Sequence, residues 1–329
     1  MKHSATLFSI LTLFLSYTSH AAVVLVYHHV ADDTPSSTSV SPKTFAAHLD
    51  YLAEQDFKVR SLAEILTTLK SGQALPDKTV AITFDDAYQS VHDTAMPLLA
   101  ARGWPFTVFV NTQATSRESS LYMSWEELRV VMDNGGDVQN HSHTHASLAY
   151  PEEGESKDEW QARVRTDINT AHTSIRENLG VEPSLFAYPY GEYSPALQTL
   201  VSEMGLLGIG QHSGAVDTQS NFLGIPRHPF HKGADSIERF ATRVLTRPLH
   251  LTITPKGPLR VERGSRVSLR IEGEDLTNTN CFFDGEPVLM NEGQLENLGP
   301  FNKRRTKLNC TRAMGAGVYE WFSYLFISY

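Results

Sequence analysis

The sequence predicts an α/β fold with a mostly parallel sheet or barrel, followed by a small all-β module. Three observations carry this. Between residues 23 and 209, short apolar β-branched runs alternate with amphipathic stretches of helical period, the pattern of a parallel sheet joined by helices. His28, Asp85, Asp86, His141 and Tyr190 each follow one of those runs closely, where parallel α/β folds place their active-site face. From about His250 the helical period disappears and strand-like runs lie between turn residues.

In chain order, Val23–Tyr27 reads as a buried strand ending at His28-His29. Ser41-Pro42 opens a helix to about Gln55, with Phe45, Leu49 and Leu52 on one face. Phe57–Arg60 is a short strand, and Ser61 starts a helix stopped near Gly72. Thr79–Phe84 is a second buried strand, and a helix to about Arg102 and a strand at Phe106–Val110 follow. Ser124-Trp125-Glu126-Glu127 has the form of a capping box, and Gly135-Gly136 ends that helix. Val138–Asn140 is a strand leading into His141, and Lys157–Leu179 is a long polar helix. Leu185–Tyr188 is a strand, Pro195–Met204 a helix, and Leu206–Ile209 one more strand. Thr246-Arg247-Pro248 marks the passage to the C-terminal module, expected to be sandwich-like. The aromatic segment 319–324 is expected to be its final buried strand. The expected organisation is a leader at 1–21, an α/β domain at 22–247 and an all-β domain at 248–329.

The composition narrows the function classes. The chain has 329 residues, 41% apolar and 20% charged, with a net charge of −9. This excludes a disordered polymer, a collagen-like fibre and a multi-span membrane protein. An acidic chain without a basic run is not built for nucleic acid or anionic membrane surfaces. Residues 1–21 combine Lys2, an apolar stretch from Leu7 to Leu15, and small residues Ser19 and Ala21 before a cleavage point, the plan of a secretory signal peptide. The protein is therefore expected in the periplasm or secreted, without a membrane span once the leader is removed. The two cysteines, Cys281 and Cys310, are expected to form a disulfide in that compartment. Neither is placed for nucleophilic catalysis, so any metal would be held by His and carboxylate.

The chemistry concentrates in Thr83-Phe84-Asp85-Asp86 and Asn140-His141-Ser142-His143-Thr144-His145. His141 and His145 are four apart, the spacing of one helical turn, so both rings can face one point. A carboxylate from Asp85 or Asp86 would complete a two-His, one-carboxylate set with positions open for water and substrate. Of two adjacent aspartates, one can ligate while the other remains free as a base.

These motifs, together with Phe186-Ala187-Tyr188-Pro189-Tyr190-Gly191, resemble those of the carbohydrate esterase 4, or NodB-homology, polysaccharide deacetylases, over about residues 23–240. The resemblance implies a distorted (β/α) barrel of NodB type and metal-dependent hydrolysis of the acetamide on N-acetylglucosamine units. It implies Asp85 as general base, Asp86, His141 and His145 as metal ligands, and Tyr190 as the residue whose backbone N–H meets the oxyanion. The metal would be zinc, with cobalt or nickel as alternatives. His143 matches no ligand position. The Tyr27-His28-His29-Val30 element and residues 41–66 resemble the poly-β-1,6-N-acetylglucosamine deacetylases of bacterial biofilm systems. In that subgroup the catalytic His comes from the early strand, which favours His28 over His228 as general acid. His29 should point away, because strand side chains alternate. The pattern departs from the family at Ala187, where an Arg that bonds the catalytic Asp is often found, so another group must orient Asp85. Tyr88, Trp104, Trp125, Tyr188 and Tyr193 are candidates for a sugar groove, since sugar C–H faces pack on aromatic rings, but most are expected in the core, with Tyr190 lining the site. The expected partner is a poly-N-acetylglucosamine or chitin-type glycan, bound by a monomer. An O-acetyl esterase, a non-catalytic carbohydrate-binding protein and an Fe(II) oxygenase are the competing readings.

Overall fold

The computed structural model describes residues 18–19, 21–117 and 119–329. The expected leader lies almost wholly outside them.

Among the described residues, one nine-stranded sheet organises the first region. Its main strands are β1 (Ala21–Tyr27), β2 (Thr79–Asp85), β3 (Phe106–Val110), β4 (Gly136–Asn140), β5 (Leu185–Ala187), β6 (Leu207–Ile209) and β7 (Ala215–Asp217). They lie in the order β6-β5-β4-β3-β2-β1-β7. β1 to β6 are parallel and β7 runs antiparallel to β1. From β1 to β6 spatial order thus follows chain order without reversal, because each crossover turns with the same hand. The sheet curls into a half-barrel, a distorted (β/α) barrel. Two-residue strands at Lys58–Val59 and His228–Pro229 flank β2 and β1.

Both sheet faces are buried, so the strands read as continuous apolar runs. Val23, Leu25, Tyr27, Val80, Ile82 and Phe84 pack outward, against helices α1 (Pro42–Glu54) and α4 (Trp125–Asp133) among others. Ala22, Val24, Ala81, Phe109, Ala187 and Ile209 pack on the other side with Leu62, Ile65 and Leu66 of α2 (Leu62–Lys70). The expected helix after β2 is less regular: a wide turn at Val91–Ala95 precedes a five-residue α3 (Met96–Ala100). Pro97 lies there and has no backbone N–H for the α-helical ladder.

Serine side chains cap most of the longer helices. Ser41 accepts from Thr44 N ahead of α1, and full capping boxes, Ser124 with Glu127 and Ser156 with Glu159, open α4 and α5 (Lys157–Leu179). Gly180 closes α5 in the left-handed conformation. α6 (Pro195–Glu203) and α7 (Ile237–Val244) complete this layer.

The C-terminal region holds two further sheets. One contains β8 (Thr252–Thr254), β10 (Val267–Glu272) and β13 (Gln294–Leu298). The other is built on β14 (Arg305–Gly315) and β15 (Val318–Ser328), with β9 (Leu259–Val261), β11 (Thr279–Phe283) and β12 (Glu286–Val288). Cys281 of β11 and Cys310 of β14 face each other and are bonded. The two sheets share a core of Ile253, Leu269, Leu295, Leu308 and Phe326. Leu325 and Ile327 of β15 also pack into a cluster with Phe186, Tyr188 and Leu197 of the first region. The two regions are therefore joined by buried apolar contact.

Candidate active site and metal centre

The site forms where β2, β4 and β5 end. Thr83 and Asp85 share the inward face of β2, since strand side chains alternate. A regular strand would then turn Asp86 away. Instead Asp86 and Ala87 take positive φ, 71° and 57°, and this turn keeps both carboxylates on the site. Ser142, His145 and Tyr190 also have positive φ, 71°, 57° and 59°. Non-glycine residues in this region are strained, and such strain gathers at functional sites.

His141 and His145 meet, but not through a helical turn. Residues 141–150 form an irregular loop, because left-handed conformations at Ser142 and His145 end any helical path. Asp167 on α5 ties the loop down: it accepts from His143 N at 2.7 Å, Thr144 N at 3.2 Å and Thr144 Oγ1 at 2.5 Å. Asn140 Oδ1 accepts from Ser142 N, and His143 turns outward to Thr112 Oγ1 at 2.9 Å.

Asp86, His141 and His145 each offer a ligand atom, all within 4.8 Å of one another. His145 Nε2 lies 3.1 Å from Asp86 Oδ1 and His141 Nε2 lies 3.6 Å from it. Tetrahedral ligands about 2.0–2.1 Å from one zinc ion stand about 3.3 Å apart, so these spacings fit such an ion. The orientation fits as well. His141 Nδ1 lies 2.8 Å from the Ala187 carbonyl, where it donates and leaves the Nε2 lone pair for a ligand. Burial holds His141 neutral, its pKa down to about 4, with His145 adding to the effect. Burial also works to raise Asp86, but His145 and His141 hold its carboxyl at about 2. Burial lowers His145, yet the Asp86 carboxylate overrides it and the net shift is upward.

Asp85 is fully buried beside this set, and its orienting group is Arg227. Arg227 is itself fully buried and grips Asp85 with Nη1 to Oδ1 at 2.7 Å and Nη2 to Oδ2 at 2.8 Å. It is fixed in turn by the Gly210 carbonyl at 2.7 Å and Thr83 Oγ1 at 3.1 Å. Gln211 Nε2 donates to Asp85 Oδ2 at 2.8 Å. Burial alone would raise the Asp85 carboxyl, but Arg227, His141 and His28 hold it well below the usual carboxylate range.

His28 lies across the cleft, its Nε2 3.9 Å from Asp85 Oδ2. His228, its competitor in the sequence, is fully buried elsewhere, bonded to Thr246 Oγ1 at 3.0 Å and edge-on to Trp321. His29 faces away and stacks on Tyr88 with ring centroids 3.6 Å apart. The Tyr190 ring meets His145 edge-on at 4.6 Å and stays 43% exposed. Tyr88, one of the groove candidates, lines the cleft too. Tyr188 and Tyr193 are buried and stacked on each other. The cleft encloses about 530 Å³, and its lining includes Arg305 and Lys307 of β14.

Sequence reasoning missed Arg227, Gln211 and Asp167. For Arg227 the signal was present: it precedes His228 in Ile225-Pro226-Arg227-His228, a buried segment whose charge needs a buried partner.

The curled parallel sheet has the fold of solved polysaccharide deacetylases. Residues 72–209 match the family model described as polysaccharide deacetylase, and the chain contains a polysaccharide deacetylase domain. Among curated proteins, the poly-β-1,6-N-acetyl-D-glucosamine N-deacetylase of Escherichia coli K12 is 24% identical over 275 residues, covering 73% of this chain and 40% of that protein. The Staphylococcus aureus MRSA252 protein of the same name is 26% identical over 232 residues, covering 65% of this chain and 80% of that one. The chain thus spans well under half the length of the E. coli relative. Two solved structures share the fold. The Streptococcus pyogenes deacetylase PplD, in complex with acetate, aligns with a TM-score of 0.62 at 20% identity, over 69% of this chain and 99% of that one. IcaB from Ammonifex degensii aligns with a TM-score of 0.60 at 23% identity, over 69% and 98%.

Proposed function

We propose that this chain is an exported, metal-dependent N-deacetylase that hydrolyses the acetamide of N-acetylglucosamine units in a glycan. The observation that carries this is the meeting of Asp86, His141 and His145 within 4.8 Å beside an aspartate whose carboxylate Arg227 holds ionised. The named activity of the E. coli and S. aureus relatives supports the substrate class.

Asp86, His141 and His145 would hold the ion, zinc in the first instance. When bound, a divalent ion lowers the pKa of water and polarises the amide carbonyl. The chain's own residues do the rest. Asp85, held in place by Arg227 and Gln211, accepts the proton of the attacking water. Oδ2 accepts two of these bonds and Oδ1 only one, so Oδ1 keeps a lone pair for the proton and the grip orients the base without closing it. The Tyr190 N–H, carried on its strained turn, donates to the oxyanion as the carbonyl carbon becomes tetrahedral. The C–N bond then breaks, and His28 gives its proton to the departing amine across the cleft from Asp85. Acetate and a glucosamine unit are the products.

The test is incubation of the purified protein with β-1,6- and β-1,4-linked N-acetylglucosamine oligomers, reading free amines and acetate. Amines are expected, lost on chelation and restored by Zn²⁺, Co²⁺ or Ni²⁺. Acetate released only from O-acetylated glycans would establish the esterase reading instead, and turnover unaffected by full metal removal would refute metal dependence.

A further inference from the structure

The C-terminal β-module reaches into the catalytic cleft. β14 places two cations there, Arg305 and Lys307, both outside the stretch that matches the deacetylase family. Neither is there to balance a carboxylate of the reaction. Asp85 is already paired with Arg227, and Asp86 faces His141 and His145. The carboxylate nearest Arg305 is Glu192, 3.9 Å away, which Arg304 already grips with two bonds of 2.7 and 2.9 Å. Lys307 is half-buried and donates to the Gln211 carbonyl at 2.6 Å; no carboxylate lies within ion-pair distance of it among the described residues. Arg305 donates to the Tyr190 carbonyl and lies 5.8 Å from that ring. Two cations are thus fixed, through Tyr190 and Gln211, at the wall where the reacting sugar and its neighbours must lie.

The proposed reaction changes the charge of its substrate. An acetamide is neutral. The amine it leaves takes up a proton, since an amine beside electron-withdrawing groups has a pKa near ~7.7–8. A cationic wall costs a neutral unit nothing in Coulomb energy and repels the ammonium. We propose that Arg305 and Lys307 select the charge of the glycan. The cleft accepts N-acetylated units flanked by acetylated neighbours, disfavours units flanked by free glucosamine, and expels each product by its new charge. This rests on the deacetylase reading above. It gives the β-module a role in specificity, so that acetyl removal becomes slower wherever free amines accumulate.

Two probes test it at about pH 6.5, where such an amine is charged: a β-1,6-linked N-acetylglucosamine pentamer, and the same pentamer with one internal unit replaced by glucosamine. The wild-type protein should release acetate from the first about fivefold faster per acetyl group or more, given Coulomb energies at this range. About 1 M salt should shrink that ratio, because screening then acts within about 3 Å. Lys307→Gln should bring the ratio towards one, and Lys307→Glu should reduce or invert it. Arg305→Gln also releases the Tyr190 carbonyl, so it should slow both pentamers while moving the ratio in the same direction. Loss of position alone would lower both rates and leave the ratio fixed, as would misfolding, and such a result in both Lys307 variants would overturn the proposal. Equal wild-type rates on the two pentamers would overturn it and leave the deacetylase reading standing. Release from neither by the wild-type protein would defeat both.

Discussion

At the residue scale, the site depends on one buried pair. Asp85 and Arg227 are both fully buried, and a buried charge is tolerated only with a partner of good geometry. Arg227 supplies it through a planar fork that lysine cannot imitate. Arg227→Met should leave Asp85 with only the Gln211 bond to orient it, lowering kcat by about 10²-fold or more, with the metal stoichiometry unchanged. It should also lower unfolding free energy by about 3–5 kcal/mol, as expected when one partner of a buried ion pair is removed. Arg227→Lys should restore little of the rate, because only one of the two bonds can form. Kinetics on the metal-loaded, folded fraction, beside urea unfolding, checks this; a normal kcat there would mean that Arg227 acts on stability alone. His28 makes a separate claim. It lines the cleft and approaches Asp85 from the far side, where a proton donor to the amine would stand. His28→Ala should lower kcat by about 10²–10⁴-fold, measured as acetate release at saturating substrate. A near-normal rate would remove His28 from the reaction, and buried His228 is not placed to replace it.

At the scale of elements, the loop that carries His145 is held by a helix that contacts no reacting atom. Asp167 on α5 collects two N–H groups and one hydroxyl from His143 and Thr144. Asp167→Ala should free those donors, let His145 move, and weaken metal affinity about 10–100-fold, the usual cost of losing a supporting group. Zinc titration by calorimetry reads this directly; unchanged affinity would show that the loop keeps its shape without α5. The same loop shows what could and could not be read in the sequence. Buried strands and serine-capped helices are local matters, set by apolar runs and by side chains three residues apart, so β1 to β4, α1, α4 and α5 were legible almost to the residue. The motifs Asp85-Asp86 and His141 to His145 were legible because metal chemistry needs few residue types in close order. Arg227, Gln211 and Asp167 were not, because their partners lie 142, 126 and 24 residues away; the apolar flank of Arg227 signals that it needs a buried partner but does not identify that partner. The spacing of His141 and His145 is that of a helical turn, but four residues also span a loop folded back by two left-handed residues.

At the scale of the whole molecule, the first region and the β-module share buried apolar surface through Leu325 and Ile327, and buried histidines are spread across the fold. Burial holds His29 and His48 at about 4 and His212 at about 3, and pushes His228 well below its ordinary value. In the unfolded chain these rings titrate near 6.5. The unfolded state therefore binds more protons than the native state once the pH falls below that value, and protonation favours unfolding. The stability these rings contribute should be fully present above about pH 6.5 and decline as the pH falls towards 4. His48 tests this well because it belongs neither to the cleft lining nor to the Asp86, His141 and His145 set. It is stacked on Phe240 with centroids 4.0 Å apart, Nδ1 3.0 Å from the Tyr27 hydroxyl and Nε2 2.9 Å from the Asp235 carbonyl. A shift from 6.5 to about 4 corresponds to about 3 kcal/mol lost at the acid end. His48→Gln keeps a polar group for these partners but cannot titrate. It should cost stability at neutral pH, yet give a shallower decline in the urea midpoint between pH 6.5 and 4, with up to about one proton fewer taken up on unfolding. Parallel curves for wild type and variant would mean that the His48 ring titrates alike folded and unfolded, and that burial there does not keep it neutral.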